Sequence, residues 1–251
     1  IRGGHWEHEM FIDKNWPAKE LIDGVSPNHP VLLSRADGHS VLVNSYVLEK
    51  SGITRETPDP FGGEIQKDPV TGEPTGILKE TAQNLIKTGE SIIKRSAEED
   101  SIREWQGYLR AMKEARELGV TSLQNAGAAD FEAYERLQKE DQLTSRIDIG
   151  KPLTGDTTVL LKYKEIEKRY PDNGNWIRFG YLKAFADGSM GSGTALMFEP
   201  FNDNPSSSGL AMWTYDKLEK MVLTADKMGF QIGIHAIGDK ANNWVLNIFE
   251  K

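Results

Sequence analysis

The sequence predicts an α/β fold, part of a (β/α)8 TIM-like barrel. Three observations carry this expectation. From about residue 97 onward, helical apolar stripes alternate with short β-prone runs, as in βα units that feed a parallel sheet. The helical stretches run 11 to 20 residues, long enough to serve as crossovers between parallel strands. No GxGxxG follows the first strand, which favours a barrel over a dinucleotide-binding sheet.

In chain order, SIREWQGYLRAMKEARELG (101–119) places Ile102, Trp105, Leu109, Met112 and Ala115 at steps of three and four, one face of a helix that Gly119 ends. VTSLQNAG (120–127) reads as a short strand and turn, FEAYERLQKEDQL (131–143) as a helix, and SRIDIG (145–150) as a strand. A helix over 157–170 and a strand over 176–188 follow. The stretch 215–228 sets Leu218, Met221, Val222 and Ala225 on one face and ends at Gly229. The strand FQIGIHAIG and a last helix complete four βα units, half of what a closed barrel needs. Before residue 97 the pattern changes. HPVLLSRADGHSVLVNSYVLEKSGI (29–53) reads as a strand, a polar turn and a helix ending at Gly52. DPFGGEIQKDPVTGEPTGIL reads as a hairpin turning at DPVTGEP, an insertion over about 53–96 on the ligand-facing side of the barrel.

Bulk composition excludes several classes. At 251 residues, 38% hydrophobic and 27% charged, the chain has room for a sizeable core. A formal charge of −8 without basic runs argues against nucleic acid as a partner. With no cysteine there is neither a disulfide framework nor a thiolate metal site. No run of 18 apolar residues marks a membrane span, and no signal peptide is visible, so the expected location is cytoplasmic. The start without Met and the uncapped end in NNWVLNIFEK read as cut, as if the chain were an internal fragment.

The candidate chemistry lies in few places. In HWEH, His5 and His8 are three apart and would face opposite sides of a strand, so a rim role fits better than metal binding. His29 looks like a loop residue. Asp37 and His39 follow the apolar PVLL at a strand end, where barrels bind ligands; a polar turn closed by the Asp side chain is the plainer reading. Lys183 lies within the apolar run Tyr181–Phe185. A buried ammonium is costly unless paired or chemically changed, so it is read as a Schiff-base lysine or a carboxylated metal ligand, against a lysine whose stem reaches solvent. DGSMGSG fits no phosphate loop and reads as a pocket-lining loop. His235 ends the next inferred strand, ahead of Asp239, which is placed to cap the last helix. Lys183 and His235 thus sit at the C-terminal ends of adjacent inferred strands, as a shared site requires.

DGHSVLVNS, GGEIQKDPVTGEPTGILKETA, ELGVTSLQNAG, YLKAFADGSMGSGTALMFEPF and IGIHAIGDKA, in that order, resemble the amidohydrolase superfamily, in the metal-dependent hydrolase branch that includes N-substituted formamide deformylase. The resemblance implies a distorted (β/α)8 barrel, of which residues 1–251 would be the central part, with the family's small β-sandwich outside the chain. It implies a divalent metal, commonly zinc, held by HxH, a lysine that is often carboxylated, two later histidines and a final aspartate. Carried over, the lysine matches Lys183 and the first later histidine matches His235. The HxH, the second histidine and the catalytic aspartate have no match in residues 1–251, and Gln124-Asn125 stands where relatives often show His-Asp. The implied reaction is hydrolysis of an amide or formamide-like C–N bond in a small molecule through a metal-activated water, with Asp37 and His39 on the substrate side. Phe185, Met190 and Phe198 would favour a moderately hydrophobic substituent. Two alternatives stand beside it: an aldolase-like Schiff-base barrel, and a non-catalytic binding or regulatory protein on a hydrolase fold. A half barrel alone is expected to be poorly stable or to pair with another copy, and to be inactive.

Overall fold

The computed structural model describes residues 1–87, 96–127, 130–171 and 176–251. These fall into two compact units. One is built from residues within Ile1–Lys94, Phe185–Thr214 and Ala236–Leu246, the other from residues within Arg95–Ala184, Tyr215–His235 and Asn247–Lys251.

The first unit carries strands β1 (Arg2–Trp6), β2 (Leu32–Arg35), β3 (Ser40–Val43), β4 (Gly63–Lys67) and β5 (Pro74–Glu80), with the short helix α1 (Glu20–Asp23) and helix α2 (Ser45–Ser51). The sheet order is β1-β2-β3-β5-β4, parallel between β1 and β2 and antiparallel elsewhere. The segment expected to form a strand, a turn and a helix is instead the hairpin β2–β3 followed by α2. Ser40–Val43 are all buried, so VLV is a strand covered on both faces. The helix begins only after Asn44, whose side chain accepts from Val47 N, and it ends on Gly52 at φ 71°. The hairpin expected at DPVTGEP is present as β4–β5, and β5 adds to the same sheet beside β3. Val41, Val43, Val47, Leu48, Ile65 and Leu78 form its core. The end of the predicted insertion, 88–95, lies outside the described residues.

The second unit contains helix α3 (Ala97–Glu117), then strands β6 (Ser122–Asn125), β7 (Arg146–Pro152), β8 (Ile177–Phe185) and β9 (Ile232–His235). Helices α4 (Phe131–Lys139), α5 (Thr157–Arg169) and α6 (Tyr215–Lys227) connect them; α7 (Asp239–Phe249) follows in the chain, its residues up to Leu246 counted with the first unit. The sheet order is β6-β7-β8-β9, with β6, β7 and β8 parallel. Sequential neighbours joined by one helix each are the arrangement of a half-barrel. Four such strands are half of a TIM barrel, and the mixed sheet of the first unit adds none, so the fold is α/β with a parallel half-barrel.

Packing explains the expected helices. Leu218, Met221, Val222 and Ala225 of α6 are all buried, as their spacing requires. On α3 only Met112 and Ala115 are buried, while Ile102 is exposed, so the predicted apolar stripe covers core only in its second half. Ile177, Phe179, Leu182 and Ala184 of β8 are buried. Phe131 stacks on Tyr170 with centroids 4.5 Å apart and on Phe179 at 6.1 Å. Leu137, Ile147, Ile149, Leu160, Leu182 and Leu218 are essentially inaccessible, each contributing about 1.5–3 kcal/mol by burial.

Candidate functional site

In the second unit, the pairing of β7 with β8 shifts register between Phe179 and Leu182, and beyond that shift Leu182 and Ala184 are buried on one face while Tyr181 and Lys183 take the other. Tyr181 lies across a glycine on each neighbouring strand. A Cβ at Gly150 of β7 would come 3.3 Å from the ring, and one at Gly233 of β9 would come 2.9 Å from it. Tyr181 and Gly233 therefore share a face. Two residues further on, Lys183 and His235 share it too, each at the C-terminal end of its strand. Leu182 N donates to Gln231 O at 2.8 Å, which ties the register of β8 to the segment entering β9. The Lys183 ammonium donates to Ala184 O at 3.1 Å, and burial pushes its pKa below the usual lysine value. Further down the sheet, Asp148 accepts from Arg178 at 2.5 Å and covers Gly180, its Oδ1 lacking a hydrogen bond. Gln124 and Asn125 end β6.

Lys183 and His235 are two donors on one face. Among the described residues, no group of three or more His, Cys, Asp or Glu is placed to hold a metal ion. The two fit part of a donor set, a half-buried amine and an imidazole, and do not complete one.

In the first unit the tip of the β2–β3 hairpin carries Asp37 and His39. Asp37 Oδ2 accepts from Arg35 Nη1 at 2.5 Å, Ser189 Oγ at 2.6 Å and Ser192 Oγ at 2.8 Å, while Oδ1 accepts from His39 N at 3.0 Å. Arg35 is fully buried and also donates to Glu7. Burial alone would raise the Asp37 carboxyl. The hydrogen bonds from Ser189, Ser192 and His39 N, with the Arg35 charge, outweigh it and hold the group below the usual carboxylate range. His39 Nδ1 lies 2.9 and 3.0 Å from the two Glu80 oxygens. That hydrogen bond raises the imidazole's pKa against the effect of burial, and the charges of Glu80, Asp37 and Asp187 add to it. Glu80 also accepts from Thr194 Oγ1 at 2.6 Å. Its backbone sits at φ 48°, ψ −125°, a conformation that costs a non-glycine residue about 1–3 kcal/mol.

The DGSMGSG loop is thus a hydrogen-bonding partner of the hairpin tip. It begins at Asp187, whose side chain is inaccessible and accepts from three backbone amides: Leu196 N at 2.8 Å, Ile237 N at 3.0 Å and Gly238 N at 2.8 Å. The turn that follows His235 is held there. Asp239, expected to cap α7, accepts from Lys240 N in the helix's first turn at 2.7 Å and also from Phe198 N at 2.9 Å. Phe185, Met190, Phe198 and Ile237 are substantially exposed. Of HWEH, His5 is exposed, while His8 is buried and stacks on Trp16 with centroids 4.5 Å apart. His29 is an exposed loop residue whose carbonyl accepts from Asn44. Sequence reasoning missed Glu80 and Asp187. Glu80 carries no local signal, and Asp187 reads as an ordinary Asp-Gly turn.

A family model described as an amidohydrolase family matches residues 1–251. The chain belongs to the amidohydrolase family. This amidohydrolase chain is 35% identical over its full length to Protein LONG AFTER FAR-RED 3 of Arabidopsis thaliana, covering 43% of that protein. It is 32% identical over 99% of its length to the putative amidohydrolase YtcJ of Bacillus subtilis, covering 46% of it. It is 26% identical to N-substituted formamide deformylase of Arthrobacter pascens, again over its full length and 46% of the relative. The chain therefore spans somewhat less than half the length of these relatives. A solved structure of an uncharacterised metal-dependent hydrolase from Pyrococcus horikoshii superposes with a TM-score of 0.58 at 26% identity, covering all of this chain and 47% of that one.

Proposed function

We propose that this protein works as a metal-dependent amidohydrolase, hydrolysing an amide or formamide-like C–N bond in a small molecule. The observation that carries the reading is the placement of Lys183 and His235 on one face of the half-barrel, at the C-terminal ends of adjacent strands. Lys183 and His235 would be metal donors. Partial burial lowers the Lys183 pKa and so eases loss of its proton; the neutral amine attacks carbon dioxide and, with loss of a further proton, becomes an anionic carbamate able to ligate. A bound divalent ion, zinc in this reading, would supply a Lewis acid that acidifies water and polarises a carbonyl. Asp37 and His39 are proposed as substrate-side residues, the Asp37 carboxylate, bonded to Ser189 Oγ and His39 N, holding the hairpin tip that carries the His39 imidazole. The exposed Phe185, Met190 and Phe198 favour an apolar substituent on the substrate. A cytoplasmic location and pairing with a second copy belong to the same reading.

The reading is supported by membership of the amidohydrolase family and by the name of the formamide deformylase relative. The test is hydrolysis of an N-aryl formamide by the full-length protein, read as release of formate and the amine. Turnover that a chelator abolishes and a divalent ion restores is expected. The depressed pKa of Lys183 also suits a Schiff base. Borohydride trapping of Lys183 with a carbonyl compound, without chelator-sensitive hydrolysis, would transfer the protein to that chemistry.

A further inference from the structure

Glu80 combines three features that are costly separately. Its backbone adopts φ 48°, ψ −125°, where glycine is the residue without strain. Its side chain is only 8% exposed, which penalises a carboxylate. The opposite loop is cut away to admit it, since a Cβ on Gly188 would collide with both Glu80 Oε1 and Thr194 Oγ1. In return the carboxylate receives His39 Nδ1 at 2.9 Å and Thr194 Oγ1 at 2.6 Å. The backbones are joined as well, Glu80 N donating to His39 O at 2.9 Å. Glycine in place of Glu80 would relieve the backbone strain and the desolvation but would forfeit both side-chain hydrogen bonds, so what the glutamate adds here is the bonding of its carboxylate.

We infer that Glu80 is a positioning residue for His39: its carboxylate keeps the proton on Nδ1 and fixes the ring, so that contact between His39 and substrate is made through Nε2. A carboxylate on one imidazole nitrogen sets which nitrogen is the donor and orients the ring for its partner. Thr194, itself fully buried, donates to Oε1, the carboxylate oxygen that lies 2.9 Å from His39 Nδ1, and so holds the carboxylate beside the imidazole. The inference deepens the proposed function and rests on His39 contacting substrate. Its structural half, the lock on Nδ1, stands without that reading.

The test uses the full-length protein with Glu80→Gln, Glu80→Gly, His39→Asn and the double variant Glu80→Gln with His39→Asn. Three quantities are read: the nitrogen-15 resonances and titration of His39, the melting temperature, and turnover of an N-aryl formamide. Both Glu80 variants are expected to lower the His39 titration midpoint, with Asp37 and Asp187 left as the acidic groups acting on the ring. Glu80→Gly, which sets relieved strain against two lost hydrogen bonds, is expected to remain folded yet to lose turnover about 10-fold or more. If Glu80 acts through His39, the double variant is no slower than His39→Asn alone. Additive losses, or full turnover in a folded Glu80→Gly protein, overturn the inference. If Glu80→Gly fails to fold, the similarly shaped Glu80→Gln carries the same comparison. If the wild type hydrolyses no formamide, the functional reading falls by itself. The lock on Nδ1 is then decided by the resonances, where an unchanged His39 titration in Glu80→Gln overturns it.

Discussion

Replacing Asp187 with Asn should loosen the turn after His235 while leaving the size of the side chain unchanged. The wild-type carboxylate is inaccessible and accepts from Leu196 N, Ile237 N and Gly238 N at 2.8, 3.0 and 2.8 Å. A hydrogen bond to a charged acceptor contributes about 1.5–3 kcal/mol, and a buried donor left unpaired costs about 1–3 kcal/mol. An Asn oxygen can keep one or two of the three, and its NH2 turns a donor toward amides that need an acceptor. Because such contributions are not additive, the expected loss is about 2–4 kcal/mol rather than the sum of the bonds. At about 1.4 kcal/mol per tenfold change, local opening would become about 30- to 700-fold more frequent. Amide hydrogen exchange by NMR reads this at the amides of Leu196, Ile237 and Gly238. Faster exchange confined to those amides and their neighbours is the expected pattern. Wild-type rates at all three would refute the assignment of Asp187 as the anchor of the turn.

Gly233→Ala puts a methyl group 2.9 Å from the Tyr181 ring, and the strain should lower stability by about 1–3 kcal/mol in chemical denaturation, with Tyr181→Ala in the same chain recovering part of it. Wild-type stability of Gly233→Ala would show that Tyr181 does not lie across that strand. The folded pKa of His39 is raised above its ordinary 6.5, so the stability it contributes is fully present below that value and is lost as pH rises through the folded pKa. His39→Asn should therefore destabilise most in mildly acidic solution and least in alkaline solution, and denaturation curves across pH that show the reverse order would contradict the Glu80 contact as drawn.

The second unit was largely legible in the sequence because its signals are local. The stripe Leu218, Met221, Val222 and Ala225 has one physical solution, a helix buried on that side. Lys183 stood out because an ammonium inside Tyr181–Phe185 needs a reason, and alternation along the strand then puts it on the same face as His235. The first unit was less legible. A short apolar run such as Val41-Leu42-Val43 does not by itself distinguish strand from helix, and the decisive signal was the cap at Asn44. Ile102 belongs to a correct helical stripe but has no core to cover, which only tertiary packing determines. Glu80 and Asp187 escaped because their partners are far along the chain: Thr194 for one, Ile237 and Gly238 for the other. Backbone strain at Glu80 is imposed by the fold and leaves no trace in residue order.

The central claim is that Lys183 and His235 are two ligands of one metal site. Metal content of the full-length protein, measured by elemental analysis for wild type, Lys183→Ala and His235→Ala, tests it most directly. The account predicts a bound divalent ion in the wild type and a 10-fold or greater loss of affinity in each variant, with the fold retained. Wild-type metal content in either folded variant would contradict it.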